Sequence, residues 1–73
     1  FNFNGQRYKI LKAEIGNGIG MNGEVVSNDL EVACANNKSI KILEIQREGK
    51  RVQKIGEFML GSQIKKGSSL LNV

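Results

Sequence analysis

Seventy-three residues with a formal net charge of +4, a single cysteine, no histidine and no proline bound what this chain can be. A chain of that size makes one domain, near the lower limit for folding on its own core, and buries only about 60% of its extended-chain surface. Cys34 alone excludes an internal disulfide and the lack of histidine removes the ordinary structural zinc set, so stability rests on packed aliphatic side chains.

No run approaches the roughly 20 apolar residues that span a bilayer, and the first residues lack the charged-then-apolar layout of a signal peptide. The expectation is a soluble domain in the cytoplasm, where a lone thiol is also at home. The chain opens at Phe1 without an initiator methionine and with two aromatics in three positions, which reads as a piece of a longer protein. Nine glycines beside a charged fraction of 25% point to a folded domain with many turns.

Gln6 to Ile15 alternates, but its apolar set changes phase: Tyr8 and Ile10 share one face, Leu11, Ala13 and Ile15 the other. A period-two strand needs an extra residue to do that, so a bulge is predicted near Ile10 and Leu11. Gly16 to Gly23 reads as a loop. Glu24 to Ser27 is a short strand around Val25 and Val26, Asn28-Asp29 a turn, and Leu30, Val32 and Cys34 alternate with Glu31 and Ala33 as a half-buried strand. Asn36-Asn37 turns the chain into its longest segment.

Lys38 to Lys54 organises the rest. An apolar half, in which the phase again shifts from Ile40 and Ile42 to Leu43 and Ile45, runs into a basic half broken by Gly49. Two bent strands are the signature of a small barrel. Six of the eleven basic residues fall in this segment against Glu44 and Glu48, so it carries +4, equal to the whole chain. Beyond it the period changes: Ile55, Phe58, Met59 and Ser62 share a helical face, with Gly61 expected to end a short helix near 54–61 in the left-handed conformation. Gly67 to Leu71 then returns as a last short strand able to close the sheet. The expected fold is mostly β, a small open OB-like barrel with one short helix, in a single domain spanning 1–73.

Leu30-Glu31-Val32-Ala33-Cys34, then Ile40 to Arg51, then Glu57-Phe58-Met59-Leu60-Gly61 and a late Gly67 follow in the order of features of methionyl-tRNA formyltransferase C-terminal domains, which this sequence resembles over about its whole length. The likeness includes a Leu-Gln-x-x-Gly-Lys-Lys-like segment and an acidic-Phe-Leu-x-Gly-like helix, with Ile45 for the usual leucine and Arg51 for the second lysine. It implies an accessory barrel beside an N-terminal catalytic domain that transfers a formyl group from formyl-tetrahydrofolate to the methionine on initiator tRNA. The family's catalytic Asn, His and Asp belong to that other domain. The resemblance therefore implies no cofactor here and no catalysis by this chain alone.

Lys38, Lys41, Arg47, Lys50, Arg51 and Lys54 are the candidate phosphate contacts, against the alternative that they merely solvate a surface. Base stacking is disfavoured, because Phe1, Phe3, Tyr8 and Phe58 are the only aromatics; contact with the backbone of a folded RNA suits the composition better. Gly18-Ile19-Gly20-Met21-Asn22-Gly23 matches a dinucleotide fingerprint in letters only, since no helix follows to receive a pyrophosphate. Cys34 is expected as a buried small hydrophobe, and Glu44 and Glu48 as screens for Lys41 and Arg47. Two functions stay open: a domain that holds tRNA, or a structural or protein-contact barrel of another formyltransferase, of sugar N-formyltransferase or formyl-tetrahydrofolate dehydrogenase type.

Overall fold

The computed structural model describes residues 1–62 and 64–71. Five strands and one helix follow in the order β1 (Asn2–Phe3), β2 (Gln6–Gly16), β3 (Glu31–Cys34), β4 (Lys38–Arg47), β5 (Val52–Lys54) and α1 (Ile55–Leu60). All pairings are antiparallel, and β4 is the hub. One of its edges takes β2 along its length; the other is shared between β3 at the start of β4 and β5 at its end.

The two phase changes of the sequence meet face to face. Between Ile10↔Ile45 and Lys12↔Glu44, β2 advances two residues for one on β4, which leaves Leu11 as the extra residue; by Ala13↔Ile42, β4 has advanced two for one, with Leu43 as the extra. The second bulge restores the register that the first displaced, so pairing continues to Gly16↔Ser39. A bulge bends its strand and raises local twist, and two of them opposed curl the sheet. Ile42 and Ile45, three apart, can thus both be fully buried, which a regular strand forbids.

Inside the curl, Val25, Leu30, Val32, Ile42, Ile45, Phe58, Ile64 and Leu70 form the core. The helix contributes Phe58, with Ile55 and Met59 packed beside it. It ends at Gly61 with φ −113°, not in the left-handed region the sequence suggested; the Gly61 N–H still donates to the Phe58 carbonyl at 3.3 Å. Residues Gly67 to Leu71 do return to the sheet, as isolated bridges and not a regular strand: Leu71 exchanges two backbone hydrogen bonds with Asn2, and Val25 donates to Ser68. These bonds span the gap between β1 and the segment that bridges to β3 at Val25↔Val32. The result is a curled, partly open barrel. Glu24 and Val25 likewise pair only through bridges where a short strand was predicted.

Turn chemistry explains the corners. Asn4-Gly5, both at positive φ, joins β1 to β2 as a two-residue hairpin, the strongest short-range signal of that kind, though a two-residue β1 hid it from pattern reading. Asn36 and Asn37 both adopt the left-handed region, where their short polar side chains are tolerated. Leu30 does so too, at φ 58°, a strain of about 1–2 kcal/mol that its complete burial holds in place. Cys34 is half-buried, less enclosed than expected, and its Sγ lies 3.7 Å from the Val32 carbonyl.

The glycine-rich loop after β2 is anchored. The Gly18 N–H donates to Glu31 Oε2 (2.6 Å) and Ser39 Oγ (2.9 Å), while the Ser39 hydroxyl donates to the same Glu31 oxygen at 2.6 Å. A Cβ on Gly18 would come within 2.6 Å of that oxygen, so the loop approaches the sheet only because glycine stands there. The Ser39 hydroxyl first, and then the Gly18 N–H, hold the Glu31 carboxyl below its ordinary value; nearby Lys41 adds to them, against the burial that would raise it.

Because the folded value is lowered, the stability Glu31 contributes is complete above the ordinary 4.5 and disappears as pH falls through the lower folded value. Urea midpoints of wild type and Glu31→Gln should therefore differ by a constant amount at neutral pH, and the gap should narrow in acid. A second pair of variants separates strain from space. Gly23 (φ +89°) has the Leu70 carbonyl 2.6 Å from a would-be Cβ, whereas Gly5 (φ +78°) has open space. Gly23→Ala should cost about 2–4 kcal/mol and Gly5→Ala about 1–2 kcal/mol in urea unfolding.

Candidate nucleic-acid interface

Register decides where the six candidate cations go. Ten residues of β4, at about 3.3 Å each, separate its two ends. Lys38, opposite Cys34, and Lys41, directly between Glu14 and Glu31, stand at the first end. At the other end Arg47 closes β4, Lys50 and Arg51 occupy the turn into β5, and Lys54 ends β5 opposite Glu44, which also faces Lys12. Glu44 thus screens Lys12 and Lys54, and Lys41 is screened by Glu14 and Glu31; the expected screening of Lys41 by Glu44 is not what the sheet builds.

Arg47, Lys50 and Arg51 converge on one groove of about 540 Å³. Arg47 shares a cross-strand row with Tyr8, and such partners project to the same face. Its Nε donates to Gln6 Oε1 at 3.0 Å, which aims the guanidinium; among the described residues its terminal nitrogens make no hydrogen bond. The Lys50 carbonyl accepts from the Gln46 amide at 2.9 Å, fixing the turn. Arg51 is 75% exposed and pairs with Glu57 at 3.4 Å. Tyr8 at the floor is stacked on Phe1 (5.1 Å between centroids) and meets the edge of Phe58 at 5.5 Å, so core packing fixes the groove's base.

Around the edge of the sheet, on its outer face, Arg7 and Lys9 line a smaller depression with Gln46, Glu48 and Gly49. Composition hid these two, because they lie some thirty positions before the charge-rich segment begins and reach it only through the β2–β4 pairing. The end of the molecule holding Arg47 therefore gathers Arg7, Lys9, Lys12, Arg47, Lys50, Arg51 and Lys54 against Glu44, Glu48 and Glu57, while Lys38 and Lys41, with Lys65 and Lys66 on the segment bonded to Val25, are balanced by Glu14, Glu24, Asp29 and Glu31. Among the described residues no cluster of potential metal ligands occurs and no helix is long and apolar enough to cross a membrane. The Gly18–Gly23 fingerprint leads into bridges and a turn, with no helix behind it.

Comparison with known proteins agrees with this architecture. Residues 1–63 match the family model described as formyl transferase, C-terminal domain. The chain belongs to that family. It is 66% identical over all 73 residues to a methionyl-tRNA formyltransferase of Pelagibacter ubique, and covers 24% of that protein. Methionyl-tRNA formyltransferases of Rhodopseudomonas palustris and Bradyrhizobium diazoefficiens are 41% and 40% identical over 61 and 62 residues, of which 19% and 20% are spanned. The chain thus spans a quarter or less of the length of these relatives. No solved structure matches it.

The Arg51–Glu57 pair is exposed on both sides and therefore worth only about 0.2–1 kcal/mol. Glu57→Gln should release Arg51 for an anionic ligand, so the variant should elute from heparin at higher salt than wild type. Glu14→Gln, at the opposite end of β4, should shift elution less.

Proposed function

We propose that this chain is the accessory domain with which a methionyl-tRNA formyltransferase holds initiator tRNA, while a separate N-terminal catalytic domain, the user of formyl-tetrahydrofolate, performs the transfer in the cytoplasm. The observation that carries the proposal is the segregation of charge: seven cations stand against three carboxylates at one end of a barrel that is 66% identical to a protein of that name. The domain supplies position, not chemistry. Holding the tRNA body turns the encounter of acceptor end and catalytic domain into an intramolecular step, the most effective use of binding energy remote from the reacting atoms.

Arg47, Lys50 and Arg51 make the principal phosphate contacts, with Lys54 and the outer-face pair Arg7 and Lys9 extending the same positive end. Lys38 and Lys41 contribute least, since Lys41 is flanked by two glutamates and both lie at the far end of β4. Ile15, which is 86% exposed, and the exposed Ile19 and Met21 favour a second role for that far end: contact with protein. A barrel with that role alone is the competing function.

A tRNA titration of the 73-residue chain at 50 and 200 mM salt separates the two. Three or four phosphate contacts, at a logarithmic slope of about 0.9 each, weaken binding on the order of 40- to 150-fold over that range. Replacing Arg47, Lys50 and Arg51 together by alanine should lower the slope by roughly two to three units, and replacing Lys38 and Lys41 by alanine should leave it almost unchanged. Salt-indifferent binding, or equal losses from the two sets, would exclude this tRNA contact.

A further inference from the structure

We infer that the groove beside Arg47 receives one unpaired nucleotide of the bound RNA, its base in the recess and its phosphate on the cationic rim. This rests on the function proposed above and goes beyond contact with backbone phosphates. The folded arrangement changes what the small number of aromatics permits: three of the four, Phe3, Tyr8 and Phe58, line this one groove. Tyr8 is committed to Phe1 and Phe58; Phe3 packs against the core but has no aromatic partner among the described residues, is only half-buried and lines the groove, so its remaining surface can receive a base.

Polar groups stand beside that ring. The side-chain amides of Asn4 and Gln53 line the groove and make no hydrogen bond among the described residues. Each offers a donor and an acceptor, the complement of a base edge. Asn4 is presented by the positive-φ turn before β2, and Gln53 shares a cross-strand row with the buried Ile45, so both are carried by the sheet and its hairpin. The Arg47 guanidinium, fixed through Nε by Gln6, presents its outer nitrogens, the geometry that suits a phosphate.

Size and charge select the occupant. A volume of about 540 Å³ falls within the range of about 300 to 1,000 Å³ usual for small-molecule sites, suiting one nucleotide and excluding a duplex, whose bases stay stacked. Arg47, Lys50 and Arg51 line the groove and no carboxylate does, although Arg51 pairs with Glu57 beside it; that lining calls for an anion. An apolar wall, free amides and a positive rim together match a heterocycle joined to a phosphate. Recognition of unstacked bases in loops and bulges is the usual way in which sequence is read in a folded RNA.

The test titrates the isotope-labelled 73-residue chain with the four 5′-ribonucleoside monophosphates and, separately, with ribose 5-phosphate, followed by NMR. Both ligand types should move the Arg47, Lys50 and Arg51 signals. Only the nucleotides should move the Phe3 ring and the Asn4 and Gln53 side-chain amides. Gln53→Ala should weaken the best nucleotide three- to tenfold and leave ribose 5-phosphate unchanged, and Phe3→Leu, which keeps apolar bulk, should do the same while retaining the dispersed spectrum of the fold. Identical shift patterns for nucleotide and ribose 5-phosphate, or no shifts at millimolar nucleotide, would overturn the base site. The phosphate contacts proposed above would survive that result, since their own test is the salt slope with tRNA.

Discussion

The opposed bulges at Leu11 and Leu43 are the constraint on which the rest of this structure depends. Each costs a ladder interruption, and either alone would shift every later pair by one residue and turn the apolar face outward. Because the second reverses the displacement of the first, β2 and β4 keep their register from Tyr8↔Arg47 to Gly16↔Ser39 while the sheet between them bends. The bend lets Ile42 and Ile45 both enter the core. It also leaves the remaining edge of β4 divided, with β3 along its first half and β5 along its second, so that α1 follows β5 directly and sets its own Phe58 into the core.

That division also sorts charge. A strand paired on both edges fixes the neighbours of every side chain it carries, and in β4 the neighbours differ from end to end. Lys41 has a glutamate on either side, and Glu44 has a lysine on either side. Charges matched this way lend little to a distant ligand. The unmatched cations are Arg47, Lys50 and their neighbours at the end where β2, β4 and β5 meet. A barrel with net charge +4, modest for its size, presents that whole excess at one end, because Lys38, Lys41, Lys65 and Lys66 elsewhere are balanced by Glu14, Glu24, Asp29 and Glu31. Cation count alone would place Lys38 and Lys50 in one patch; register separates them.

The fold was legible where periodicity and turn chemistry speak. Phase changes in two strands located both bulges, Asn36-Asn37 located a turn, and the spacing of Ile55, Phe58 and Met59 located the helix. Short elements escaped, since two residues of β1 and three of β5 carry no period. The left-handed Leu30 escaped because only tertiary burial holds a branched side chain in that conformation. The cationic end was half legible: the run from Arg47 to Arg51 is local in sequence, whereas Arg7 and Lys9 join it through a pairing across some forty residues, and Lys41 stands apart from it because Glu14 and Glu31 arrive from two other strands.

Tyr8 shows why the site and the core are not separable in a domain this small. Its ring lies between Phe1 and the edge of Phe58, so it belongs to the packing that holds the helix against the sheet; its cross-strand partner is Arg47, so it also sets the row from which the principal cation projects. Gln6, two residues before it on the same face, then holds the guanidinium by Nε. A single short length of β2 therefore fixes the root of Arg47 through the strand ladder and its head by a hydrogen bond. Long cationic side chains ordinarily lose rotamer freedom on binding, and an arginine already held at both ends loses less of it. The same packing that closes the barrel also orders its charged end.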